Sequence, residues 1–285
     1  MRKVTGSILF AAFSSTALIP NTGWATFLPA NNLNLEDSYS AANMTELQFN
    51  QTIDNVALFY APIIKAHGAT LKMVKAWTDS TVNAYAQQIG TSWQVNMFGG
   101  LARRPEVTLD GFALVVCHEL GHHLGGFPYA SSWAANEGQA DYFATLACGK
   151  NLWSEKLEEN ATYRKTVDPV AKKYCDTVNA GVEEQDLCYR QMAAGMSLGK
   201  LLGVLGGTPN INYGTPDASK VTKTNNAHPA AQCRLDTYMA GALCLSTWDD
   251  ALIPKTELIS SKVTCTAANE FEDGLRPLCW YKPTM

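Results

Sequence analysis

Residues 117–123 read Cys-His-Glu-Leu-Gly-His-His, which contains the pattern His-Glu-x-x-His at His118, Glu119 and His122. On a helix, positions four apart share a face, so His118 and His122 project side by side. Two neutral imidazoles placed this way can hold Zn²⁺, and the glutamate beside the first can act on a water held by the ion. A catalytic zinc usually has three protein ligands and one open position. The third candidate is Glu137, in Asn-Glu-Gly-Gln-Ala-Asp over 136–141. It follows His122 at a distance that allows a turn and a second helix packed beside the first. Asp141 lies one turn beyond Glu137 on the same face, where its carboxylate could accept a hydrogen bond from a ligand imidazole and fix its tautomer. His123 falls off the ligand face and reads as structural or solvent-facing. The expectation is one Zn²⁺ per chain.

These side chains need a frame. Thr108 or Asp110 can cap a helix in which Leu109, Phe112, Ala113, Val116 and Leu120 form the core-facing stripe, with Gly125-Gly126 as its stop. Asn136 can cap a second helix running to Cys148, stopped by Gly149. Upstream, 46–65 has the apolar spacing of a core-facing helix. Three strand-like segments follow at 70–77, 82–87 and 92–98, the last with Trp93, Val95 and Met97 on one face. Segments 151–175 and 186–204 read as helical, 206–226 as a long surface loop, and Pro229 as the first turn of a helix reaching about Cys244. The apolar stretch 192–205 reads as a buried helix rather than a membrane contact. The chain is therefore expected to be α+β, with a small sheet packed on the helix that carries the histidines and a mainly helical C-terminal part. The strand 92–98 could pair with an extended peptide by strand addition, and Gly99-Gly100 would allow close backbone approach.

The first 25 residues read as a signal peptide: a basic start at Arg2 and Lys3, an apolar stretch from Val4 to Leu18, and a small-x-small cleavage site ending at Ala25. Residues 26–44 read as an extended lead-in and 246–285 as an irregular extension packed on a domain spanning 45–245. All eight cysteines lie after residue 116. An even number in an exported chain favours disulfides, and no Cys-x-x-Cys suggests ligated zinc. Proximity along the chain pairs Cys175 with Cys188, Cys265 with Cys279 and Cys117 with Cys148, which leaves Cys233 for Cys244. Net charge is −4, with lysine and arginine scattered, so nothing points to a nucleic-acid surface. No later segment is apolar enough for stable membrane insertion. Asn43 and Asn160 head glycosylation sequons, relevant only in a eukaryotic secretory pathway. Trp280-Tyr281 reads as local core. The sequence leaves oligomeric state open.

His118-Glu119-Leu120-Gly121-His122 followed by Glu137-Gly-Gln-Ala-Asp141 resembles the gluzincin metallopeptidases of the HtpX, Oma1 and CAAX-prenyl-protease type. Val82-Asn83-Ala84-Tyr85-Ala86 looks like that family's Asn-Ala strand, and His228-Pro229 with Arg234 looks like its late His-Pro…Arg element. The resemblance spans about 45–245. It implies a zincin-like fold, zinc on His118, His122 and Glu137, and Glu119 as general base. It implies Asp141 behind a ligand and His228 or Arg234 at the oxyanion. The chain departs from the membrane members in its short gap between His122 and Glu137, its lack of transmembrane helices and its many cysteines. The expected activity is that of a secreted or periplasmic zinc metalloendopeptidase acting on peptides or unfolded protein. Two alternatives remain open from sequence. One is a zinc-binding, chaperone-like protein on a protease scaffold, and the other is a zinc amidase acting on cell-wall peptides.

Overall fold

The computed structural model describes residues 23–36 and 44–284. The apolar stretch of the expected signal peptide lies outside them. Thr45 opens helix α1 (Glu46–Ala66) through a capping box with Gln48. Strands β2 (Thr70–Ala76), β3 (Ala84–Ile89) and β4 (Ser92–Phe98) follow, with β3 displaced two residues toward the C-terminus from the expected 82–87. A further short strand, β1 (Trp24–Thr26), spans the expected cleavage point after Ala25. The four strands form one mixed sheet in the order β1-β3-β4-β2, parallel only between β2 and β4.

That order corrects one expectation. Ser92–Phe98 is interior, paired on both sides, and cannot accept a peptide by strand addition. The edge strands are β1 and β2. Gly99-Gly100, which open the short helix α2 (Gly99–Ala102), approach the backbone of Trp77, Ser80 and Thr81 rather than any ligand.

Helix α3 (Leu109–Leu124) runs through the centre of the molecule, capped by Thr108. Every residue except Leu109 is buried, so the stripe expected to start at Leu109 starts one turn later. Phe112, Val116 and Leu120 share a core with Phe49, Ile53 and Val56 of α1 and Val95 and Met97 of β4. Asn136 caps α4 (Glu137–Phe143), which continues as a wider π-type turn through Gly149 into α5 (Lys150–Trp153). Gly149 is therefore passed through rather than used as a stop. The helix expected over 151–175 is broken into α6 (Leu157–Ala161), a 3-10 turn over 162–165 and α7 (Pro169–Val178). Pro169 disfavours helical backbone at Asp168, whose carboxylate instead caps α7. Helices α8 (Val182–Leu205) and α9 (Ala231–Leu243) pack together, with α8 also against α3; α10 (Glu257–Ser260) belongs to the tail. Residues 206–226 hold no helix or strand. Asn160 is buried with its amide donating to the Trp153 carbonyl, so its sequon is not presented at the surface. Asn43 lies outside the described residues.

Four disulfides form: Cys117–Cys148, Cys175–Cys188, Cys233–Cys279 and Cys244–Cys265. The first two match the local pairing expected. The other two do not, because Cys233 and Cys244 flank α9 at opposite ends, roughly 16 Å apart by helical rise and beyond disulfide reach. Each instead binds the tail, which returns over α4. There Trp280 lies against Gly138, where an added Cβ would fall 2.2 Å from the indole ring.

Candidate metal centre

Three helices meet at the site. α3 presents His118, Glu119 and His122; α4 presents Glu137 and Asp141; α9 and the turn before it present Arg234, Tyr238 and His228. Close approach of α3 and α4 depends on Gly121, where a Cβ would stand 2.9 Å from the Ala140 Cα and carbonyl oxygen. The Cys117–Cys148 bond ties α3 to the continuation of α4. Asn136 accepts the Gln139 backbone N–H at 2.9 Å, which starts α4 with Glu137 as its first residue.

Hydrogen bonds fix the two imidazoles. His122 Nδ1 lies 2.8 Å from the Ala135 carbonyl, an acceptor only, so Nδ1 carries the proton. His118 Nδ1 lies 2.7 Å from Asp141 Oδ1. Asp141 stays ionised because Arg234 grips it through Nε at 2.6 Å and Nη2 at 2.8 Å, and Tyr238 donates its hydroxyl at 2.5 Å. His118 Nδ1 is then the donor. Both Nε2 lone pairs are consequently turned inward, and they face each other at 3.1 Å. Glu137 closes the third side, with Oε2 at 3.3 Å from His118 Nε2 and Oε1 at 3.7 Å from His122 Nε2. Glu137 Oε2 comes this near without hydrogen-bond alignment to any partner. The ligand atoms all lie within 4.8 Å of one another. Two imidazoles and a carboxylate converging this closely repel unless a cation, either a shared proton or a metal ion, sits among them. Two nitrogens and one oxygen is a donor set that suits Zn²⁺.

Without a metal ion, a proton on His118 supplies the positive charge among these groups. Burial alone disfavours a charged His118, yet Asp141 and then Glu137 outweigh it and hold the ring up to about 9. Burial pushes His122 down to about 4 despite Glu137. Although burial opposes it, the neighbouring imidazoles keep Glu137 below the usual carboxylate range. Burial also raises Glu119 to about 8, with His118 pulling the other way. Both Glu119 oxygens are buried with no hydrogen-bond partner. A buried carboxylate left without partners is costly, and a neighbouring cation would favour its charged form.

His228 lies beside the cluster, its Nε2 3.4 Å from Glu137 Oε2 and 2.7 Å from the Thr26 carbonyl. Arg234 is fully engaged: two of its nitrogens hold Asp141 and Nη1 reaches the Phe27 carbonyl at 2.6 Å. Of the two residues considered for an oxyanion, His228 thus borders the metal cluster and Arg234 sets Asp141. His123 is structural and not solvent-facing. It is stacked between Trp93 and Trp133, with Nε2 3.1 Å from the Gln94 carbonyl.

Three participants escaped the sequence reading. Tyr238 had a usable signal, one helical turn beyond Arg234 on the same face of α9. The Ala135 carbonyl had none, being backbone. Phe27 sat in a stretch read only as extended, yet its ring meets His118 edge-on at 5.2 Å. The other group with metal-ligand spacing among the described residues, Asp217 with Cys233 and Cys279, offers no thiolate because both cysteines are in one disulfide. Comparison with family models, with curated proteins and with solved structures returned no match for this chain.

Proposed function

We propose that the chain is an exported zinc-dependent metallopeptidase. His118, His122 and Glu137 hold the ion, Glu119 serves as general base and His228 meets the developing oxyanion. The observation that carries the reading is the inward convergence of two Nε2 lone pairs and the Glu137 carboxylate, with the unpartnered Glu119 carboxylate on the same helix. When bound, the zinc supplies Lewis acidity toward a carbonyl and lowers the pKa of a water. Glu119 would take a proton from that water and pass it to the leaving amine. His228 is placed to donate toward an oxygen beside the cluster, as it already does toward Thr26. Asp141, clamped by Arg234 and Tyr238, holds His118 with its Nε2 turned inward.

The small sheet lying alongside the histidine helix supports a zincin-like fold. The four disulfides suit an oxidising compartment, and no helix among the described residues is long and apolar enough to cross a membrane. The idle carboxylate of Glu119 favours catalysis over a zinc-holding scaffold, which has no use for a buried base. The test is hydrolysis of an unfolded, fluorescently labelled protein by the wild type and by Glu119→Gln, with zinc quantified in both. One zinc in each and cleavage by the wild type alone is expected. Absence of zinc from both folded proteins would remove the basis of the reading.

A further inference from the structure

A short stretch near the N-terminus lies across this site in an arrangement that ordinary packing does not require. β1 pairs antiparallel with the outer side of β3, with Trp24 opposite Gln87, Ala25 opposite Ala86 and Thr26 opposite Tyr85. The extended run continues past the strand. The Phe27 N–H donates to the Ala84 carbonyl at 3.1 Å. The Asn83 side chain receives the Leu28 N–H at 3.0 Å and donates to the Leu28 carbonyl at 3.2 Å. Most of the grip is on backbone groups, which any extended peptide carries. Two successive carbonyls are then held by side chains of the metal centre: Thr26 by His228 and Phe27 by Arg234. The same His228 nitrogen stands 3.4 Å from Glu137, so the Thr26 carbonyl lies beside the ligand cluster. The Phe27 ring is fully buried, edge-on to His118 and under the Arg234 guanidinium at 4.6 Å, whereas Trp24 is 54% exposed.

We infer that Trp24–Leu28 is seated as a substrate, and that the site hydrolyses its own chain between Thr26 and Phe27. The pocket filled by the Phe27 ring then selects, in other peptides, a bulky apolar residue directly after the cut. This rests on the peptidase reading above. The atoms balance with water alone. The water oxygen bonds to the Thr26 carbonyl carbon and the bond from that carbon to the Phe27 nitrogen breaks. One water hydrogen travels through Glu119 to that nitrogen. The second water hydrogen starts on the new Thr26 carboxyl and passes to the amine, which leaves a carboxylate on Thr26 and an ammonium on Phe27. The fragment ending at Thr26 leaves Tyr85–Gln87 of β3 bare, and the new N-terminus at Phe27 withdraws its ring from the pocket before a peptide supplied from outside is seated.

The cut differs by one residue from the leader cleavage expected after Ala25, so the two are separable on the full chain. The zinc-loaded wild type should begin at Phe27, while Glu119→Gln should retain Thr26, read by intact mass and N-terminal sequencing. A second readout needs no turnover. In Glu119→Gln the amides of Phe27 and Leu28 should exchange hydrogen on the order of 100-fold more slowly than in a free peptide. Peptides with Phe or Leu after the cut should exceed those with Gly or Asp by ~10–200-fold in kcat/KM.

If the wild type digests an added unfolded protein yet keeps its Thr26–Phe27 bond, self-cleavage is overturned and the peptidase reading stands. Free exchange at Phe27 and Leu28 in Glu119→Gln overturns the seating whatever the activity. Protected amides with no cleavage of any chain, added or own, by the zinc-loaded wild type overturn both readings.

Discussion

Two buried clusters in this molecule have the same composition. In one, Arg190 forks onto Asp110 at 2.8 and 2.9 Å while Tyr163 donates its hydroxyl at 2.5 Å. In the other, Arg234 forks onto Asp141 at 2.6 and 2.8 Å while Tyr238 donates at 2.5 Å. The difference lies in what else the aspartate and arginine touch. The Arg190 Nη1 turns to Glu159 and Asn160, and the cluster fastens the N-terminal end of α3 to α6 and α8. Asp141 instead takes the proton-bearing nitrogen of His118, and the Arg234 Nη1 holds the Phe27 carbonyl. One trio is therefore an anchor. The other passes the orientation of a fixed charge into an imidazole whose second nitrogen faces the candidate metal position. The lesson is that a buried ion pair becomes part of a site through its third partner rather than through its burial or its geometry.

The comparison is sharpest when each aspartate is neutralised. Asp141→Asn is expected to weaken zinc binding by roughly 10–100-fold, because His118 loses its orienting partner. It should also destabilise the fold by about 3–5 kcal/mol by leaving Arg234 buried without a counter-charge. Asp110→Asn should destabilise by a similar or smaller amount with zinc affinity unchanged. Zinc titration and denaturant unfolding of both variants read this out. Equal losses of zinc affinity would erase the distinction between the clusters.

Lys150 supplies the unpaired extreme. Its ammonium donates to the Cys244 carbonyl at 2.5 Å with no carboxylate beside it among the described residues, and burial lowers it to about 8. Below pH 8 folded and unfolded chains both carry the proton, and the full desolvation penalty applies. As pH rises toward the unfolded value near 10.5, the folded chain releases its proton first, so stability should increase over that window. Lys150→Met should remove the slope and stabilise the protein at neutral pH by on the order of 1–3 kcal/mol. A stability profile across pH 7–10.5 that is the same in both proteins would count against this.

The smallest effect concerns the hydroxyls. Tyr238→Phe and Tyr163→Phe should each destabilise by about 1 kcal/mol. Only Tyr238→Phe should also weaken zinc binding, by a few-fold. A change in zinc affinity on Tyr163→Phe would show that the anchor and the metal centre are coupled along α3.

Much of the candidate metal centre was legible because helical periodicity turns local spacing into geometry. His118, His122, Glu137 and Asp141 each lie one turn from a partner on α3 or α4, and their caps are local as well. The strands at β2 and β4 were legible for the same reason. What escaped depended on contacts distant in sequence. Sheet order turned on which neighbours β4 took: β3 and β2 cover both its sides, while the N-terminal β1 joins the far side of β3. Cysteine pairing turned on the path of the tail, which proximity along the chain misjudged at Cys233 and Cys244. Tyr163 and Asp110 meet across 53 residues, and no pattern in either segment announces it.

The tail crossing α4 has a consequence for the order in which the protein becomes competent. Glu137 and Asp141 are made more than a hundred residues before Cys279 and Trp280, which pin α9 at Cys233 and cover α4 at Gly138. A ribosome-bound chain that has just exposed its two histidines still lacks the clamp that steadies Asp141. If the site is catalytic as proposed, such a chain would be inactive, and competence would arrive only once the segment carrying Cys279 and Trp280 has folded back. A premature stop before Cys279 should accordingly yield a chain without a steady metal centre rather than an unregulated hydrolase.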